Sequence, residues 1–107
     1  MTQYTVVFAP QAQEQLASLY RFIASARSPE IAERYTDAIV TYCESLQNFP
    51  MRGTRRDDVR PGLRITKYKK RTVIAFTIDA DLVSILGVFY GGQDYESAFQ
   101  FDDPKIR

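Results

Sequence analysis

The chain has 107 residues, 45% hydrophobic and 25% charged, with 14 Lys and Arg against 13 Asp and Glu. That is the length and composition of one globular domain, expected here to span 1–107, and seven Tyr with seven Phe argue against disorder. Histidine is absent and Cys43 is the one cysteine, which excludes an internal disulfide and any Ser-His-Asp or Cys-His catalytic set and argues against zinc, so neither a metal nor a cofactor is expected. No apolar run approaches the ~20 residues of a membrane span, and the start, Met-Thr-Gln-Tyr-Thr, lacks the basic and apolar regions of a secretion signal. The expected location is the cytoplasm.

The chain opens with Tyr4, Val6 and Phe8 alternating with Thr5 and Val7, the period of a short strand. Pro10 suits the first turn of a helix. Ala12, Leu16, Leu19, Tyr20 and Ile23 then recur at helical spacing, predicting a helix from about Pro10 to Ala26. Ser28-Pro29-Glu30 is a second helix start, with Ser28 as cap and Glu30 at the positive end of the dipole. Ile31, Tyr35, Ala38, Ile39, Tyr42, Leu46 and Phe49 form its apolar stripe, and Phe49-Pro50 should end it. Cys43 falls in this pattern as a packing residue.

From Pro50 to Gly62 no period is visible, which reads as a long loop. Three strand-like runs follow, Leu63–Tyr68, Thr72–Ile78 and Leu82–Tyr90. The last is apolar almost throughout, as a strand covered on both faces would be. Lys69-Lys70-Arg71 and Asp79-Ala80-Asp81 are short enough to make these runs an antiparallel meander. Gly91-Gly92 ends the last run, and Asp94 to Phe101 fits either a short helix capped by Asp94 or an extended tail. The predicted fold is α+β: an antiparallel sheet with an N-terminal strand and a two-helix hairpin on one face, in the order β-α-α-β-β-β.

Charge is unevenly placed. Between Arg52 and Arg71 nine positive side chains face only Asp57 and Asp58, a surplus of seven on a chain whose total is +1. Such a segment fits an electrostatic binding face and fits a solvated loop and hairpin equally well.

This order of elements resembles the ParE/RelE toxin superfamily over about Tyr4 to Tyr95. Phe49-Pro50-Met51-Arg52-Gly53 is similar to the family's Pro-x-x-Gly exit from the second helix. Pro61-Gly62-Leu63-Arg64 with Thr72-Val73-Ile74-Ala75-Phe76 is similar to its Gly-Leu-Arg strand and the apolar strand after it. Ile85 to Tyr95 is similar to its last strand and Asp-terminated exit. Relatives often carry a His or several Arg at that exit, where this chain reads Tyr90-Gly91-Gly92-Gln93, and the family is more basic overall.

The resemblance implies the toxin of a type II toxin–antitoxin system, of the kind linked to plasmid stabilization. It implies two modes of action. A ParE-type toxin inhibits DNA gyrase by binding, without a catalytic set of its own, and is neutralised by a ParD-like antitoxin in a hetero-oligomer. Arg60, Arg64, Lys67 and Arg71, with Tyr90 and Tyr95 nearby, are the candidate target-binding residues, since Arg offers a planar fork of donors to carboxylates and phosphates. Tyr90 also fits as a half-buried strand residue, and Asp94 as a helix cap. A RelE-type toxin is a ribosome-dependent mRNA endonuclease, for which Arg64, Lys67, Arg71 and Tyr95 would be the candidates. Leu82–Tyr90 carries no basic residue to hold a scissile phosphate, which favours the gyrase mode. A non-toxic family member acting only as a binding partner is a third reading. For an antitoxin segment folding along the hairpin and reaching the basic loop, Tyr20, Phe22, Arg27, Tyr35, Arg55 and Arg56 are candidate contacts, the aromatics among them fitting a core role equally.

Overall fold

Pro10, in the first turn, opens α1 (Pro10–Ala26), whose buried side chains Ala12, Leu19 and Ile23 lie on the predicted face. The Ser28 hydroxyl accepts the Ile31 N–H at 3.1 Å and caps α2 (Pro29–Glu44). The computed structural model describes residues 4–100. Two antiparallel helices thus follow the strand β1 (Thr5–Phe8), as the periodicity predicts. The second ends sooner than expected. The Ser45 hydroxyl donates back to the Tyr42 carbonyl, and Ser45–Gln47 tighten into a 3₁₀ turn that buries Leu46. Phe49, the last member of the predicted stripe, therefore lies beyond the helix and is 63% exposed.

The remaining strands are β2 (Thr54–Arg55), β3 (Arg64–Tyr68), β4 (Thr72–Asp79) and β5 (Leu82–Tyr90), followed by the helix α3 (Tyr95–Gln100). Of the two readings of the tail, the helix is the one observed; Phe101 lies outside the described residues. The sheet order is β1-β5-β4-β3-β2. The meander of β3, β4 and β5 is antiparallel as expected. β1 pairs parallel to β5, from Thr5 opposite Leu82 to Phe8 opposite Ile85, so the sheet is mixed rather than wholly antiparallel. Parallel neighbours need a long crossover, which the chain from α1 to β4 supplies.

Part of the predicted loop is ordered by pairing, because β2 joins β3 through Thr54 opposite Ile65 and Arg55 opposite Arg64. Gly53 makes this possible. Its φ is +85°, and a Cβ there would sit 2.3 Å from the Ile65 carbonyl oxygen, so no other residue fits without moving β3.

A bulge at Leu86 organises the two faces. Ala75 is opposite Gly87 and Phe76 opposite Ile85, leaving Leu86 as the extra residue. Val83, Ile85, Val88 and Tyr90 then point to the hairpin, with Ile74 and Phe76 of β4 and Ile39, Cys43 and Leu46 from the helical side. Burial pushes the Cys43 thiol up to about 12, the nearby Glu44 adding to the effect, which leaves it a packing group. On the opposite face Leu63, Ile65, Ala75 and Phe89 form a second, smaller core closed by Phe99 of α3. The apolar character of β5 thus reflects cover on both sides.

Candidate binding surfaces

At the end of the sheet where β3 meets β4, aromatic rings form a continuous run between sheet and hairpin. Phe22 of α1 lies 6.3 Å from Tyr90, Tyr90 5.9 Å from Tyr35, Tyr35 6.0 Å from Tyr68, and Tyr68 5.4 Å from Tyr42. Each separation is in the range of favourable tilted or edge contacts. Two hydroxyls are anchored: Tyr35 Oη is 2.8 Å from Thr72 Oγ1 and Tyr42 Oη 2.9 Å from Thr66 Oγ1. These bonds satisfy two threonines whose residues are at most 7% exposed. The run places Tyr35 and Tyr90 at the rim of the core rather than on an open surface. Phe22, 61% exposed, and Tyr20, 37% exposed, present more ring to solvent. Arg27 follows α1 and is also exposed.

Beside this run lies an open groove of about 590 Å³, between α1 and the end of β5. Gln15, Ser18, Leu19 and Phe22 form one wall; Val88, Tyr90, Gly91, Gln93 and Arg71 form the other. Arg71 sits in the exposed β3–β4 turn, and its carbonyl accepts the Gly91 N–H at 2.9 Å, joining the turn to the end of β5. Lys69 and Lys70 are exposed in the same turn.

The other basic residues are arranged differently. Arg56 is held from several sides: its guanidinium bonds Asp58 at 2.8 and 3.0 Å, Glu96 at 2.8 Å and the Tyr95 hydroxyl, and lies 5.8 Å from the Tyr95 ring centre. The carboxylates hold this group firmly in its charged form, and Arg56 in turn keeps the Asp58 carboxyl below its ordinary range. Arg55 pairs with Asp57 at 3.0 Å. Arg64 donates to the carbonyls of Met51 and Arg52 at 2.9 and 3.3 Å, tying the start of β3 to the chain after α2. Arg60 lies over the Phe99 ring at 5.8 Å. Asp94 caps α3, accepting the Ser97 hydroxyl at 2.6 Å and the N–H groups of Glu96 and Ser97. The Ser97 hydroxyl leads in lowering its carboxyl below the usual range.

Lys67 is exposed and lines a shallow concavity with Gly53, Thr54, Arg56, Ile65, Thr66 and Tyr95. The six candidate target-binding residues therefore divide. Lys67 and Tyr95 share the face covered by α3, whereas Arg71 and Tyr90 belong to the groove beside α1. Arg64 fastens a loop, and Arg60 covers α3. Among the antitoxin candidates, Phe22 lines the groove and Arg56 lies in the network that holds α3. Among the described residues no cluster of Cys, Asp and Glu could hold a metal ion, and no helix is long and apolar enough to cross a membrane.

The family model for the ParE toxin of type II toxin–antitoxin systems, parDE, matches residues 6–95. The chain belongs to the ParE toxin family. A chain of a solved structure, described as the chromosomal ParDE TA system from P. aeruginosa, has the same fold: the TM-score is 0.74 at 20% identity, over 85% of this chain and 99% of that one. Comparison with curated proteins gives no match. The matched span runs from β1 to the first residue of α3, so the hairpin, the sheet and Tyr95, the partner of Arg56, all fall within the family pattern of this ParE-family toxin.

The residues that sequence reasoning missed are polar or doubly placed. Gln15 accepts the Val88 N–H at 2.7 Å across 73 positions, and Gln93 accepts the Tyr90 N–H at 2.9 Å. Thr66 and Thr72 anchor the tyrosines of α2. Tyr42 carried a signal, as a member of the α2 stripe, but its hydroxyl partner did not.

Proposed function

We propose that the toxin inhibits DNA gyrase in the cytoplasm by binding it, and that a ParD-like antitoxin neutralises it in a hetero-oligomer. Membership of the ParE family supports the toxin–antitoxin part of this reading. One observation favours binding over RNA cleavage: the side chains a ribose-cleaving site would need are not gathered. Arg64 is committed to two main-chain carbonyls, the Tyr95 hydroxyl to Arg56, and Arg71 lies by the α1 groove while Lys67 faces α3. General acid–base chemistry needs its groups within hydrogen-bond reach of one reacting centre.

For binding, the exposed cations Lys67, Lys69, Lys70 and Arg71 are well placed, since all four lie on β3 or the turn that follows it. Exposed cations need not meet at one centre to recruit an anionic or DNA-bearing partner electrostatically. The deciding experiment is a supercoiling and cleavage assay with purified gyrase, ATP and plasmid. Accumulated gyrase-linked breaks are expected, and Lys67→Glu with Arg71→Glu should raise the toxin concentration required about tenfold or more. Unaltered gyrase activity with a folded preparation that still arrests growth refutes the gyrase reading, and cleavage of ribosome-bound mRNA by that preparation would establish the alternative.

A further inference from the structure

Cations and aromatic rings are interleaved where the chain after α2 meets β3. The Arg52 guanidinium lies 5.7 Å from the Phe49 ring centre and 5.4 Å from that of Tyr42. Tyr42 packs 5.4 Å from Tyr68, and the Lys69 ammonium lies 5.7 Å from the Tyr68 ring centre. Each cation is within the ~6 Å reach of a cation–π contact. The run therefore reads Phe49, Arg52, Tyr42, Tyr68, Lys69. Phe49 and Lys69, at its two ends, are exposed, and the three between them are half-buried. Among the described residues neither cation meets a carboxylate. β2 pairs only with Arg64 and Ile65, so among the described residues no strand covers the outer side of β3 from Thr66 to Tyr68.

The run is set before any partner arrives. Pro50 is buried, and Arg64 donates to the Met51 and Arg52 carbonyls, which fixes the loop while the Phe49 ring stays 63% exposed. The Tyr42 hydroxyl is anchored on Thr66. Lys69 has a φ of +55°, a left-handed conformation that glycine takes more easily, yet the position carries a cation. Asn48, Phe49, Pro50, Met51 and Arg52 line an open concavity that holds no carboxylate. Fixed rings alternating with unpaired cations suit a polyanion that also bears flat apolar groups, which is the chemistry of a single nucleic-acid strand: bases stack on rings and phosphates meet cations. The surplus of seven positive charges from Arg52 to Arg71 adds attraction at longer range. We propose that this run seats a short single-stranded segment of DNA, with a base stacked on Phe49 and phosphates against Arg52 and Lys69. The inference rests on the gyrase reading for its choice of DNA over RNA, and it gives the toxin a contact with the DNA that its target handles.

The test omits gyrase, so that the two readings fail separately. The whole toxin is titrated into fluorescein-labelled oligothymidylate at about 50 mM salt, and anisotropy should report a Kd of about 1–100 μM. Phe49→Ala, at an exposed position, should weaken binding about tenfold. Lys69→Gly, which the backbone accepts, should weaken binding and lower the slope of log affinity against log salt by about 0.7. Phe22→Ala, which removes a similarly exposed ring on α1, should change neither. No anisotropy change, or one that Phe49→Ala and Lys69→Gly leave intact, overturns the inference. Tighter binding of oligouridylate overturns the choice of DNA. In each of these cases gyrase-linked breaks in the supercoiling and cleavage assay leave the gyrase reading standing. Oligothymidylate binding that responds to both substitutions, with no such breaks, upholds the DNA seat and sinks the gyrase reading alone.

Discussion

The two faces of the sheet are held by different means. The hairpin face is closed by two long helices over an apolar interior that includes Ile39, Leu46, Phe76 and Ile85 at 0% exposure. The opposite face is closed by the six-residue α3 and the 56–63 segment, and their attachment depends on Phe99, on the Arg56 network and on the Asp94 cap. The first is a burial problem, solved by area. The second is a latch, solved by a few charged groups at the surface, where such contacts are individually weak. α3 should therefore detach while the rest of the toxin stays folded.

The largest effect should come from opening the hairpin core. Phe76→Ala leaves a cavity in a fully buried site and should lower unfolding stability by about 3–5 kcal/mol, with the whole protein lost in one denaturant transition. A partial transition would break the contrast between the faces. Tyr42→Phe and Tyr35→Phe test the polar seam within that same core. Each leaves a buried threonine without its partner, and each should lower stability by about 1 kcal/mol in urea melts. Ser28→Ala removes the cap of α2 and should have a similar effect of about 1 kcal/mol.

On the latch face, Arg56→Ala should barely move the denaturant midpoint but should speed amide exchange in α3 about tenfold, seen by NMR. Equal loss of protection in α1 would show that the faces are not separable. The smallest effect should be that of acid. Asp94 and Asp58 both have lowered folded-state values, so their contribution is present above the unfolded carboxylate value and is lost as pH falls through the lower folded value. α3 should therefore loosen first below about pH 4. Asp94→Asn should flatten that dependence in pH-resolved exchange, with α1 and α2 unaffected over the same window.

Much of the hairpin face was legible in advance because its signals are local. Ser28, Pro29 and the spacing of Leu19, Ile23 and Ile39 act within a few residues of themselves, and the structure places them as read. The latch was not legible. Arg56 meets Tyr95 and Glu96 across 39 and 40 positions, and no local pattern distinguishes such an arginine from one left in solvent. The candidate site was half read for the same reason: the basic turn stands out in the sequence, but whether Arg64 or Arg71 remains available is a matter of neighbours.

The order and type of the main elements, the α+β class and the family pattern follow from local signals, because hydrophobic period, caps and turn residues operate over one or two turns of chain. Tertiary structure decided the parallel seating of β1 on β5, the bulge at Leu86, the pairing of β2 and the open edge beside Gln15. These depend on which backbone groups find partners after distant segments meet, and every candidate strand carries the same backbone groups.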